Sequence, residues 1–209
     1  MREGFALSLE TAPGALPVLS QVLPALDRLA LQLAALTGTQ TDRMTRDHGW
    51  RLLTVGRLLE RLIGVATTLG AFLQAKALGS TVGTELLLEL FDSVITFRAR
   101  YQRHEDLLAV VDLLVLDSAN PRAFAGVLRR LRTELSKLPG DETTRELLLA
   151  MLPVQGAGLT LEALRGVDDA AMSARLQQLA AQLADTAAAM AERVGERYFT
   201  LAHGLDQRL

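Results

Sequence analysis

Apolar residues recur every three or four positions along most of the chain, which is the period of an amphipathic α-helix. The longest stripes predict one helix over 16–36 and a second that follows the capping residues at 45–47 and runs to about Leu73. Further helices are predicted over 85–101, 107–116, 121–138, 143–151, 160–164 and 170–201. No stretch alternates with the period of two that is typical of strands. The pattern therefore predicts an all-α fold, a helical bundle of six to eight helices.

Capping and breaking residues mark where these helices are expected to begin and end. Gly38 is expected to end the first helix, and Pro24 to kink it or to mark its true first turn. Thr84 is a plausible cap for the helix that follows it. Asn120 and Pro121 predict a helix start, with Asn120 as the N-cap and Pro121 as the first helical residue.

The first fifteen residues show no clear periodicity. We therefore predict an N-terminal tail or linker remnant over 1–15 and one helical domain over 16–209. The longest uncharged run, 11–26, is interrupted by prolines, so it does not resemble a membrane span. The N-terminus also lacks the pattern of a secretory signal. We expect a cytoplasmic protein that does not cross a membrane.

The composition of the chain favours helices and argues against several classes of function. Aromatic residues are only 4% of the chain, and the apolar mass is Leu and Ala, which favours helices. The net charge of −2 argues against a general nucleic-acid binder, because phosphate binding requires an excess of Lys and Arg. Cysteine is absent, which excludes disulfides and thiol nucleophiles. Three dispersed histidines without metal-ligand spacing predict no metal and no cofactor.

A carboxylate on the second helix is the first candidate site. Gly56, Glu60 and Gly64 lie four residues apart, so they share one helix face. Two glycines there would let another helix backbone approach, and Glu60 would then be desolvated and need a cationic partner. The candidate partners are Arg57, Arg98 and Arg100. Such a group forms either a polar pocket or a structural ion pair that fixes helix packing.

Two more polar groups lie further along the chain. Arginines near the end of the helix over 85–101 suit the helix dipole and could also bind a carboxylate or phosphate. They are Arg98, Arg100 and Arg103. The other group comprises Asp117, Asn120 and Arg122, of which helix capping explains only Asn120.

Four segments, in order along the chain, carry a shared set of motifs. They are 44–61 with Glu60-Arg61, 87–101 with Phe97-Arg98-Ala99-Arg100-Tyr101, 113–122 with Asp117 and Asn120-Pro121-Arg122, and Arg197-Tyr198-Phe199. Together they resemble the bacterial alpha-E family, an all-helical domain of unknown function named for its Glu-Arg motif. The resemblance implies that this chain corresponds to the C-terminal two-thirds of such a domain.

The resemblance also implies a context and a set of site residues. Alpha-E domains are typically encoded beside, or fused to, circularly permuted ATP-grasp ligases and transglutaminase-like peptidases. The implied role is a helical interaction module of a peptide- or amide-bond-forming system, without catalytic activity of its own. The polar cluster implied by the motifs comprises Arg57, Glu60, Arg61, Arg98, Arg100, Tyr101, Asp117, Asn120 and Arg122.

Two alternatives stay open at this point. In the first, the polar cluster is itself a ligand-binding or catalytic site. In the second, the chain is a structural oligomerisation bundle. For assembly we expect a homodimer or a heteromer with the ligase. One candidate contact face is the apolar stripe of the last helix, formed by Leu176, Leu179, Leu183, Met190 and Val194.

Overall fold

The computed structural model describes residues 18–102, 106–153 and 159–199, and within these ranges it contains helices and no strand. The α-helices are α1 (Leu19–Arg43), α2 (His48–Gln74), α3 (Thr81–Leu90), α4 (Val94–Tyr101), α5 (Leu107–Val111), α6 (Phe124–Leu135), α7 (Glu142–Met151), α8 (Leu161–Leu164) and α9 (Asp169–Phe199). A 3-10 turn lies at Ala77–Gly79, and a π-helical segment, Asp112–Leu116, continues α5. The all-α prediction is confirmed. Seven of these helices have eight or more residues, which is within the predicted range.

The chain divides into two compact units, one up to Trp50 and one from Arg51 onward. In the first unit, α1 has no buried residue. We predicted that this helix ends at Gly38, but it continues to Arg43. One interior glycine costs a helix only about 1 kcal/mol relative to alanine, which is too little to end it. Pro24 lies inside α1. The predicted boundary at residue 15 lies outside the described residues.

The core of the second unit is built from leucine and valine side chains of most of its helices. The nearly apolar segment 107–116 belongs to this core, where Val110, Val111 and Leu113 are buried. The face of α9 that was a candidate for dimer contacts is also core. Leu176, Leu179, Leu183, Met190 and Val194 are all buried by the same chain. That stripe is therefore not an available contact surface.

The helix predicted over 85–101 is in fact two helices. Asp92 has a positive φ of 45°, and the Ser93 hydroxyl donates a hydrogen bond to the Phe91 carbonyl, so the chain turns between α3 and α4. The predicted cap is also displaced. Ser80 caps α3 by accepting from the Gly83 N–H, whereas Thr84 is buried inside the helix.

The helix predicted from Pro121 begins three residues later, at Phe124. Asn120 is not its N-cap, because the Asn120 side chain accepts from the Arg122 N–H and so stabilises a turn ahead of the helix. That turn packs closely on α6. A Cβ added at Gly126 would lie 1.9 Å from the Asn120 carbonyl oxygen, so only glycine fits this position.

Candidate functional site

Polar side chains converge where α4, the π-helical segment and the turn before α6 meet, a region called here the α4–α6 junction. At its rim, Arg100 Nη1 lies 2.6 Å from Asp117 Oδ2, and the Ala119 N–H donates to Asp117 Oδ1 at 2.7 Å. Partial burial alone would raise the pKa of Asp117. The hydrogen bonds from Ala119 and Arg100 outweigh burial and lower that pKa below its ordinary value. Asp117 is therefore ionised at neutral pH and holds Arg100 and the Ala119 N–H in place.

Tyr101 joins the same junction from the last turn of α4. Its hydroxyl donates a hydrogen bond to Asp112 Oδ2, and its ring packs on Phe97 with centroids 5.0 Å apart. Burial, followed by the hydrogen bond to Asp112, raises the pKa of Tyr101 to about 12. The phenol thus stays protonated at neutral pH and acts as a hydrogen-bond donor.

Asn120 connects three parts of this junction. Its Nδ2 donates to Ser93 Oγ at 3.2 Å and to the Leu113 carbonyl at 3.1 Å, while its Oδ1 accepts from the Arg122 N–H at 3.0 Å. One amide therefore holds together the break between α3 and α4, the π-helical segment and the turn before α6. The geometry assigns Asn120 a structural role.

Glu60 does not occupy the crowded position expected for it. The residue is exposed on α2, and a Cβ added at Gly56 or Gly64 would meet no atom within 4 Å, so no other helix of the described ranges approaches α2 at these glycines. The expectation of a buried, desolvated carboxylate is wrong. The buried face of α2 is formed instead by Val55, Leu58, Leu59, Leu62, Ala66, Leu69 and Leu73. Glycines at a spacing of four mark a face but do not show that another element covers it.

Arg98 has a different partner from Arg100. It forms an exposed ion pair with Glu85 at 3.1 Å, at the edge of a groove of about 630 Å³ between α3 and α4. The remaining lining residues of this groove are Thr84, Leu88, Val94, Phe97 and Gln102. Arg57 is exposed on α2. The predicted polar cluster is thus dispersed over several sites.

A second group of charges, called here the arginine cluster, comprises Arg61, Arg122 and Arg130. Arg122 forms an ion pair with Asp92, which the turn between α3 and α4 presents. Partial burial, and after it the positive charges of Arg122 and Arg130, lower the pKa of Arg61 from its ordinary value. Sequence reasoning missed Arg130. The only available signal was its place on the polar face of an amphipathic helix, which many surface arginines share.

Two further properties concern the described residues as a whole. They include no group of three His, Asp or Glu side chains that could hold a metal ion. None of their helices is long and apolar enough to cross a membrane.

Comparisons with known proteins identify a family. The model of the Alpha-E family, described as a predicted alpha-helical domain with a conserved ER motif, matches residues 5–199. Uncharacterized proteins of Mycobacterium bovis and of two strains of Mycobacterium tuberculosis are each 29% identical to this chain over 111 residues. The match covers 52% of this chain but only 13% of each relative. No solved structure matches the chain.

Proposed function

The chain belongs to the Alpha-E family, and from that premise we propose that it is a cytoplasmic, bacterial helical interaction module that binds an ATP-grasp ligase through α1. In this proposal the ligase forms peptide or amide bonds, and a transglutaminase-like peptidase acts in the same system. The chain contributes binding rather than catalysis. The observation that carries the proposal is the exposure of the leucines of α1.

The exposed leucines of α1 form an apolar surface of unusual length. Leu26 is 49% exposed and Leu33 is 51% exposed, and no residue of the helix is buried. No charged residue lies between Arg28 and Asp42. Large exposed apolar patches mark protein–protein contacts in soluble proteins. This surface therefore supports a binding role for α1.

The spacing of the same residues favours another helix as the partner. Apolar side chains fill the first and fourth positions of three successive heptads, the arrangement that packs one helix against another as knobs into holes. These positions are Leu19, Val22, Leu26, Leu29, Leu33 and Leu36. Uncharged residues flank them, namely Leu23, Ala25, Ala30, Gln32, Thr37 and Thr39. We call the six apolar positions the α1 seam.

The length of the relatives is consistent with a module that works beside other domains. In those mycobacterial proteins the matched segment is 13% of the chain. Most of each relative is therefore other sequence, which can supply the surfaces that such a module contacts. The family resemblance supplies the ligase as the partner. In the absence of the ligase, we expect the α1 seam to pair two copies of this chain as a homodimer.

Co-expression of the full chain with an ATP-grasp ligase from the same organism tests the proposal. Size-exclusion chromatography with light scattering should show a complex, and isothermal titration calorimetry should give its affinity. The double variant Leu26→Gln/Leu33→Gln should lose about tenfold or more in affinity, since central apolar anchors dominate such contacts. The control is Leu31→Gln, because Leu31 is 72% exposed on the opposite face of the same helix.

Each outcome decides between the candidate functions. Loss of binding in the double variant, with binding retained in the Leu31 variant, supports the interaction module. Equal loss in both variants, or no complex with the ligase, contradicts it. A homodimer that depends on the α1 seam and does not bind the ligase would indicate the oligomerisation bundle instead.

A further inference from the structure

The groove between α3 and α4 has an apolar inner wall. Leu88 on α3 and Phe97 on α4 line the groove, and both side chains are almost wholly buried. Val94 lies three residues before Phe97, on the same face of α4, and lines the groove as well. The volume of about 630 Å³ is within the range of sites that bind small molecules. The groove therefore has the size and the lining for a ligand with apolar side chains.

The rim of the groove carries one positive and one negative charge. Arg98 Nη2 lies 3.1 Å from Glu85 Oε1, and both side chains line the groove while remaining open to solvent. Gln102 adds an uncharged amide to the same lining. The two formal charges of this lining cancel, which disfavours a phosphate or a metal ion. They favour a ligand that carries both charges itself, because its ammonium group can bind Glu85 and its carboxylate can bind Arg98.

Thr84 supplies a hydroxyl that the protein itself leaves without a partner. The residue lines the groove, and only 2% of its surface is exposed. Within the described ranges its backbone N–H donates to the Ser80 carbonyl, but its hydroxyl forms no hydrogen bond. Buried hydroxyls usually have a hydrogen-bond partner, since an unpaired one lowers stability. A ligand in the groove would supply the missing partner.

We infer that this groove binds a zwitterionic amino compound with apolar side chains, either a free apolar amino acid or a short apolar peptide. Glu85 accepts hydrogen bonds from the ammonium group, Arg98 donates to the carboxylate, and the Thr84 hydroxyl donates to a ligand oxygen. The apolar side chains of the ligand pack on Leu88 and Phe97. This binding does not involve α1, so it stands or fails independently of the proposed interaction with a ligase.

Calorimetric titration of the full chain with L-leucine and, separately, with leucyl-leucine tests the inference. Saturable binding of at least one compound is expected below about 10 mM. The tighter ligand assigns the groove to free amino acids or to peptides. Acetylation of its amino group removes one charge and amidation of its carboxylate removes the other, and each change should weaken binding about tenfold or more. No saturation by either compound, or equal binding of the blocked forms, would overturn the inference.

Variants without one charge show which end of the ligand each side chain binds. Glu85→Gln should weaken binding of the zwitterion about tenfold, but not binding of its acetylated form, which has no ammonium group to lose. Arg98→Gln should weaken binding of the zwitterion but not of its amidated form. The matched control is Glu89→Gln, an exposed carboxylate one turn further along α3. Equal weakening by Glu85→Gln and Glu89→Gln would show only general charge attraction and would overturn the inference.

Thr84→Val separates a binding role of the hydroxyl from a structural one. Valine has nearly the shape of threonine and removes a hydroxyl without a partner, so the variant should unfold at or above the temperature of the unmodified chain. The same variant should weaken binding of the zwitterion about threefold or more. A lower unfolding temperature with unchanged binding would show that the hydroxyl is structural and would overturn its place in the site.

Discussion

α1 and α9 have similar amino-acid chemistry and opposite environments. Both are long helices rich in leucine and alanine, and each carries its apolar residues at helical spacing. Leu176, Leu183 and Met190 on α9 are buried by their own chain. The corresponding side chains of α1 remain exposed. Two helices with the same pattern can therefore lie in different environments, one packed in the core and one with its leucines exposed.

Truncation of one leucine on each helix is expected to give the largest difference in the free energy of unfolding between α9 and α1. Leu183→Ala on α9 should lower the free energy of unfolding by about 2–5 kcal/mol, because it leaves a cavity in the core. At concentrations low enough to keep the chain monomeric, Leu33→Ala on α1 should change it by less than about 0.5 kcal/mol. Urea denaturation followed by circular dichroism measures both. Similar losses in the two variants of the monomeric protein would contradict the contrast.

Glycine substitutions should act in opposite directions on α1 and on the second unit. Gly126→Ala should destabilise by about 1–3 kcal/mol, because its methyl group would collide with the Asn120 carbonyl. Gly38→Ala should stabilise α1 by about 0.5–1 kcal/mol, since no atom lies within 4 Å of an added Cβ and alanine favours the helix. Thermal unfolding followed by circular dichroism at 222 nm shows whether each variant is more or less stable than the unmodified chain. A tolerated Gly126→Ala would mean that the turn before α6 is adaptable.

A pH titration distinguishes a fixed carboxylate of the second unit from an exposed one on α1. Because the pKa of Asp117 is lowered in the folded chain, its stabilisation is present above the ordinary aspartate pKa and fades as the pH falls through the lowered pKa. Asp117→Asn should therefore cost about 1–3 kcal/mol at pH 7, and the cost should shrink below about pH 4.

The control for that titration is Asp27→Asn, at an exposed position of α1. It should change the free energy of unfolding by less than about 0.5 kcal/mol at either pH. A cost for Asp117→Asn that stays constant from pH 7 to pH 3 would show that charge does not contribute to its role.

Glu60→Ala is expected to have the smallest effect, although Glu60 belongs to the second unit. If Glu60 were buried and paired with an arginine, as the sequence analysis expects, its removal would lower the free energy of unfolding by about 3–5 kcal/mol. The exposed position predicts less than about 0.5 kcal/mol, as for a residue of α1. Chemical denaturation measures the difference directly. A loss above about 2 kcal/mol would restore the buried pair as the correct interpretation.

Local chemistry made much of the fold predictable. The buried segment 107–116 and the helices α7 and α9 follow from apolar spacing, and the resemblance to the Alpha-E family is confirmed. The break at Asp92 was not predictable in this way, because it depends on Ser93 and Asn120 meeting across 27 positions of sequence. The correspondence to the C-terminal two-thirds of the family domain, and the absence of a bound metal, stay predictions.

The candidate site was predictable only in part for a related reason. The pairing of Arg100 with Asp117 connects two motifs that the sequence singled out separately. Asp92 lies in the motif segment 87–101, and its ion pair with Arg122 connects that segment to another motif across the turn after α3. Arg130 belongs to no motif, and only the fold brings its charge toward Arg61. Spacing along one helix cannot show which residues of another helix face it.

The uncharged flanks of the α1 seam have a consequence for partner choice. Coiled coils select direction, register and partner through charged residues beside the seam and through polar residues within it. From Leu19 to Leu36 the seam itself is wholly apolar, and the six positions beside it carry no charge. If α1 binds a partner helix as we propose, that helix is selected by shape and length alone. Several apolar helices would then compete for α1, and their relative concentrations would decide which one is bound.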